Sequence, residues 1–221
     1  MTGPTRPGIL FDVDGTLVDT TYLHTLAWSR AFEDAGEWVP MNAIHRLIGM
    51  GGDHLVPRLL GHDSPDADAA REVHYKELIG GARAFPRARA LVAAAHGHGL
   101  ATALATSSPP DELDQLIELL ELGDVLDATT TAEDVQSSKP DPEVFVTAME
   151  VASMDPTRTL VIGDSVWDVE AARGAGIGCI AVESGGFSRQ ELSQAGALQV
   201  YRDVAEILQQ FLTSPLAHLL G

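Results

Sequence analysis

Cysteine, lysine and positive charge in general are scarce in this chain, and each scarcity excludes something. Cys179 is the only cysteine among 221 residues, so no intrachain disulfide can form and a reducing cytoplasm is the expected compartment. Lysine occurs only at Lys76 and Lys139, the other 12 basic residues being arginine. A chain that otherwise writes positive charge as arginine is expected to have a specific use for each lysine. Fourteen basic residues against 32 acidic ones leave a formal charge of −18. A body so acidic repels phosphate backbones and anionic membrane surfaces, which argues against nucleic acid and lipid as partners. Long apolar runs are missing as well. None approaches the ~20 residues of a membrane span, and runs such as 90–95 or 176–182 are the size of core elements. Residues 1–7 hold no apolar signal region, and the first hydrophobic run stops at Asp12. What remains is a chain that is 45% apolar, ample for one large domain or two small ones.

The pattern along the chain is a short strand, a long helical stretch, then strands alternating with helices. Residues 8–11 are apolar and end at Asp12, as a buried parallel strand does on emerging at its C-terminal edge. From residue 20 to about 84 there is no strand pattern. Trp28, Ala31, Phe32 and Ala35 recur at helical spacing before Gly36 and Pro40, and further helices are expected near 42–48, 53–60 and 66–79. Trp28 and Trp38 are both expected in the core of this stretch. After Pro86, strands are expected at 100–105, 125–129, 159–162, 178–182 and 198–201, with helices between them. The architecture predicted is α/β: a doubly wound parallel sheet, Rossmann-like, built from residues 1–19 and 85–221, with residues 20–84 inserted as an all-helical unit. Such a sheet places its ligand outside the C-terminal ends of its strands.

The residues able to do chemistry stand at those ends. Asp12-Val13-Asp14-Gly15-Thr16 follows the first strand. Two carboxylates at i and i+2 can enter one crevice, where like charges raise each other's pKa unless a cation or a shared proton intervenes. Asp-x-Asp-Gly also fits a calcium-type turn, but the later oxygen ligands of such a loop are absent and an apolar strand precedes it. Thr106 and Ser107 precede a helix N-terminus, which is an anion site or a plain cap. Lys139 lies among prolines. Gly163-Asp164-Ser165-Val166-Trp167-Asp168 brings a second acid pair, each member of which singly fits a helix start.

Taken together and in this order, these segments resemble the four motifs of the haloacid dehalogenase superfamily of hydrolases, over nearly the whole chain. The helical insertion is similar to that family's cap domain. Leu17-Val18-Asp19-Thr20, His24 and the Ile48–Gly52 turn are similar to the group of phosphoglycolate phosphatases and β-phosphoglucomutases. The resemblance implies Asp12 as nucleophile and Asp14 as general acid and base. It implies Mg²⁺ held by Asp12, the Asp14 carbonyl and Asp164, with Thr106, Ser107 and Lys139 on the phosphate. Asp168 is expected to act one step back, on a metal-bound water or on Lys139. His24, Arg46, His54 and Arg58 of the cap are candidates for substrate contact, each equally readable as ordinary surface.

Hydrolysis of a small phosphorylated metabolite is thus the expected function. A sugar-phosphate mutase is the nearest alternative; relatives of that type carry an Arg where Gly51–Gly52 stands and a Glu at Gly163. A dehalogenase proper has no use for the acid Asp14. A receiver-type signalling module shares the acids, hydroxyl and lysine but uses a smaller domain and places its phosphorylated Asp on a later strand.

Overall fold

Alternation with period two sends successive side chains of a strand to opposite faces of its sheet, and this organises the molecule. The computed structural model describes residues 5–220; residues 1–4 and 221, the ends of the expected core, lie outside the described residues. The strands are β1 (Arg6–Phe11), β2 (Val18–Asp19), β3 (Arg83–Ala84), β4 (Ala101–Ala105), β5 (Ala128–Thr130), β6 (Met154–Gly163), β7 (Gly178–Val182) and β8 (Gln199–Tyr201). The helices are α1 (Thr21–Asp34), α2 (Met41–His45), α3 (Gly52–Leu60), α4 (Pro65–Leu78), α5 (Ala88–Gly97), α6 (Pro110–Leu120), α7 (Glu143–Val151), α8 (Val166–Gly174), α9 (Arg189–Ala195) and α10 (Val204–Gln209).

Six strands form one parallel sheet in the order β5-β4-β1-β6-β7-β8. Ile9 and Phe11 of β1, Leu104 of β4, Ile162 of β6 and Ile180 of β7 bury on one face, against Leu91 of α5, Leu116 of α6 and Ile207 of α10. Leu10, Ala103, Val161 and Cys179 bury on the other, against Phe145 of α7 and Val169 of α8. The strands are apolar on both sides because helices cover both sides, the signature of a doubly wound α/β fold. A third apolar cluster, with Trp28, Phe32, Ile44, Leu55 and Val56, lies within α1–α4.

Several expectations need correction. Trp38 is 78% exposed, whereas Trp28 is buried; only Trp28 falls on the apolar stripe of α1. The stretch from 20 to 84 is not free of strand, since β3 pairs antiparallel with β2, Val18 opposite Ala84 and Asp19 opposite Arg83. Two-residue strands carry too little alternation to be seen in sequence. β6 begins at Met154 rather than near 159, because Met154 pairs with Arg6 across a register shift in β1. Apart from these corrections, the tail beyond Pro215 docks through Leu216 and Leu219 into the core.

Candidate active site

β1 ends at Phe11, and the chain turns at once through Gly15, whose φ of +81° only glycine adopts without strain. The turn is closed by a hydrogen bond from Gly15 N to Val18 O of 2.8 Å. It leaves Asp12 and Asp14 in different surroundings.

Asp12, Asp164 and Asp168 form one buried cluster, in which a carboxylate oxygen from each lies within 4.8 Å of the others. Asp164 follows β6, the strand beside β1. Asp168 sits in the first turn of α8, where its Oδ2 accepts from Ser165 N at 3.1 Å while Ser165 Oγ accepts from Asp168 N at 3.2 Å. That capping box aims the other oxygen inward. Lys139 Nζ bridges the cluster, bonded to Asp12 Oδ1 and 2.9 Å from Asp168 Oδ1. Asp168 is therefore a helix-start acid and the partner of Lys139 at once.

Lys139 is 1% exposed. Burial opposes its charge, but Asp12 and Asp168 outweigh that and raise its pKa. The ammonium does not balance three acids. Burial, reinforced by Asp168 and Asp14 against Lys139, pushes Asp12 up to about 7. Burial and the charges of Asp12 and Asp168 push Asp164 well above the carboxylate range. Thr16 Oγ1 lies 3.0 Å from both Asp12 Oδ2 and Asp164 Oδ1, yet a hydroxyl has one hydrogen to give. The remaining oxygen needs a proton or a cation, so this donor set fits a divalent ion bound by hard oxygen ligands.

Asp14 points elsewhere. Its Oδ1 accepts from Thr20 Oγ1 at 2.6 Å and from His24 Nε2 at 2.9 Å, and its Oδ2 accepts from Ser108 Oγ at 2.9 Å. Burial alone would raise its pKa; His24, Thr20 and Ser108 more than offset this and hold it well below the usual range. Thr106 Oγ1 is 3.5 Å from the same Oδ2. The Ser107 hydroxyl is a buried oxygen without a hydrogen-bond partner among the described residues.

A cavity of about 440 Å³ opens over Asp12 and Asp14, with Thr106 and Ser107 in its wall. Its opposite wall comes from the helical segment: His24 and Trp28 of α1, the turn 48–52, and one face of α4. The turn is fastened to the loop carrying Lys139, Gly51 N donating to Ser138 Oγ at 2.9 Å and Ser138 N to Asp53 Oδ2 at 3.1 Å.

The candidates from the helical segment separate. His24 is at the site, but against Asp14. Arg46 pairs with Glu191 and lies 4.2 Å over the Phe187 ring, and Arg58 lies 5.2 Å over Trp167; neither lines the cavity. His54 is bonded to Ser137 Oγ at 3.2 Å, outside the lining. Residues that sequence reasoning missed are Thr16, Thr20, Ser108, Arg71 and Glu112. Arg71 NH2 donates to His24 Nδ1 at 2.9 Å while the guanidinium grips Glu112, and Tyr75 stacks on His24 with ring centroids 4.1 Å apart. Only Thr16 and Thr20 carried a sequence signal, their proximity to Asp12.

Gly163 explains the absence of a side chain beside Asp164. A Cβ there would stand 2.5 Å from Asp168 Cγ, so an acid at 163 and Asp168 in its present place exclude each other.

A family model described as haloacid dehalogenase-like hydrolase matches residues 7–176. The phosphoglycolate phosphatase of Rhodospirillum rubrum is 29% identical over 214 residues, spanning 90% of this chain and 88% of the relative. A hydrolase from Pseudomonas syringae superposes with a TM-score of 0.87 at 30% identity, covering 93% of this chain and 98% of the other. CbbY from Rhodobacter sphaeroides, in complex with phosphate, superposes with a TM-score of 0.74 at 28% identity, covering 92% and 96%.

Proposed function

The chain belongs to the haloacid dehalogenase-like hydrolases, and on that premise we propose that it is a Mg²⁺-dependent phosphatase of a small phosphate monoester, working through an aspartyl phosphate on Asp12. One observation carries the reading: two carboxylates from a single strand end face one cavity in opposed environments, Asp12 beside a buried ammonium and two acids, Asp14 in a nest of hydrogen-bond donors. Carboxylates whose surroundings drive their pKa values apart divide the roles of nucleophile and acid–base.

Asp12 and Asp164, with the Asp14 carbonyl, would hold the metal, which supplies positive charge against the meeting of an anionic nucleophile and an anionic ester. An Asp12 oxygen attacks phosphorus, and the bond to the leaving oxygen breaks. Lys139, Thr106 and Ser107 take the phosphoryl oxygens, where charge is stabilised during transfer. The unpartnered Ser107 hydroxyl is free to donate to one of them. Asp14 in its present nest is ionised, the form that takes a proton from the water attacking the aspartyl phosphate. Once protonated, it serves the leaving oxygen of the next ester. Asp168 keeps Lys139 charged and in place. The mutase alternative gains no support from Gly163.

Release of phosphate from p-nitrophenyl phosphate tests the proposal. Turnover is expected with Mg²⁺ and is abolished in Asp12→Asn. Unchanged turnover in that variant, or full activity in excess EDTA, would overturn the mechanism.

A further inference from the structure

The cavity wall opposite the strand ends is acidic, and its cations are spent. Asp53, Asp68 and Glu72 line it on the helical side. On α4, Asp68, Arg71 and Glu72 stand at i, i+3 and i+4 and share one face. Among the described residues of the lining, His24 and Arg71 are the only basic ones. Arg71 is held by Glu112 through two hydrogen bonds, of 2.7 and 3.2 Å. It also gives a hydrogen to His24 Nδ1. A guanidinium only donates, so that nitrogen accepts, while Nε2 faces Asp14 at 2.9 Å. Lys139 is taken by Asp12 and Asp168.

The acids of this wall are not matched in the same way. Asp53 accepts from Ser138 N at 3.1 Å and lies 3.6 Å from His54 Nε2, with part of its carboxylate exposed. Among the described residues, Asp68 and Glu72 take part in no ion pair or side-chain hydrogen bond; the neighbouring cation, Arg71, turns to Glu112 instead. Asp68 lies against the 49–52 turn, where a Cβ on Gly52 would stand 2.5 Å from its Oδ1. Partial burial, together with the charges of Asp53, Asp63 and Glu72, outweighs Arg71 and raises its pKa.

We propose that the enzyme selects phosphate monoesters whose leaving group offers hydrogen-bond donors, hydroxyl or ammonium, and carries no negative charge. The inference rests on the phosphatase reading and names its substrate class. The phosphoryl group is served by the strand-end site. A carboxylate on the leaving group would meet three carboxylates and no free cation, the like-charge juxtaposition by which sites reject wrong partners. A hydroxyl or ammonium hydrogen meets Asp68 and Glu72, which hold no side-chain hydrogen bond or ion pair among the described residues. The preference therefore departs from that of a phosphoglycolate phosphatase, although such enzymes are among the relatives.

Three esters of nearly equal size test this: 2-phosphoglycolate, 2-hydroxyethyl phosphate and O-phosphoethanolamine. With Mg²⁺, kcat/KM for each of the latter two is expected to exceed that for phosphoglycolate at least tenfold. Calorimetric Kd values with Asp12→Asn, which binds without turnover, are expected to rank the same way. Asp68→Asn combined with Glu72→Gln is expected to narrow the gap, raising phosphoglycolate and lowering phosphoethanolamine, while thermal melting verifies that the variant is folded. A natural chain that prefers phosphoglycolate overturns the inference, as does a folded variant that shifts all three equally. Absence of phosphate release from all three esters and from p-nitrophenyl phosphate overturns the phosphatase reading instead.

Discussion

Arg71 of α4 meets Glu112 in the first turn of α6 through two hydrogen bonds, NH1 to Oε1 at 2.7 Å and NH2 to Oε2 at 3.2 Å. Their side chains are 12% and 2% exposed. Removing one member of such a pair strands a buried charge, at a cost of about 3–5 kcal/mol. Arg71→Met is expected to lose stability on that scale in urea denaturation. Arg71→Met with Glu112→Leu is expected to recover most of it, because apolar replacement of both partners leaves no orphan.

Glu112 also imposes a pH dependence. Burial raises its pKa from the ordinary 4.5, and Arg71 only partly offsets this. The folded chain thus holds this proton more tightly than the unfolded chain. The resulting stabilisation is full below the ordinary value and lost as pH rises through the raised one. Relative to Glu112→Gln, the natural chain is expected to gain stability as pH is lowered from 8 toward 5. Denaturation midpoints across that range provide the check, and a difference independent of pH contradicts the expectation.

The two lysines should behave differently. Lys76 pairs with Asp111 at 3.1 Å with both side chains more than half exposed, where water and salt screen the pair. Lys139 is the ammonium among three buried acids. Lys139→Ala is expected to lower kcat/KM on the order of 100-fold or more, and Lys76→Ala to leave it near the natural value. Equal losses would refute a special role for Lys139.

Gly185 backs the acid cluster from the loop after β7. A Cβ there would lie 1.5 Å from Asp164 Oδ2, so Gly185→Ala must move that carboxylate. Displacing a group that orients a metal ligand typically costs roughly 10–100-fold in affinity. The Mg²⁺ concentration for half-maximal activity is expected to rise by that factor, with calorimetry on the same variant reporting the binding directly.

The acids at the ends of β1 and β6 were legible in the sequence because their meaning is local. A short apolar run that stops on an Asp, with a second Asp two residues on, fixes both the strand and the crevice. The sheet was legible for the same reason, since a short continuous apolar run bounded by turn signals marks a strand buried on both faces. Arg71, Glu112 and Ser108 were not. Arg71 lies in a polar helix and Glu112 at a helix start where an acid is expected anyway, and nothing local joins residues 41 positions apart. Arg46 and Arg58 stand outside the cavity lining for the converse reason: charge alone does not show where a side chain points. Both found aromatic rings and, for Arg46, a glutamate, on surfaces away from the cavity.

The antiparallel pair of β2 and β3 sets Val18 opposite Ala84. Partner Cα atoms in such a ladder lie about 5 Å apart, so the chain leaves the sheet and returns to it at nearly one point. As far as the six-stranded sheet is concerned, everything between is a loop of almost no span, whatever its length. The entropy of closing that loop is settled by the ribbon rather than by the contents. A different stretch could be spliced in between Asp19 and Arg83 without moving the register of any core strand. Such an exchange would alter the proposed leaving-group choice first, but any replacement would have to keep Thr20 and His24, which hold Asp14.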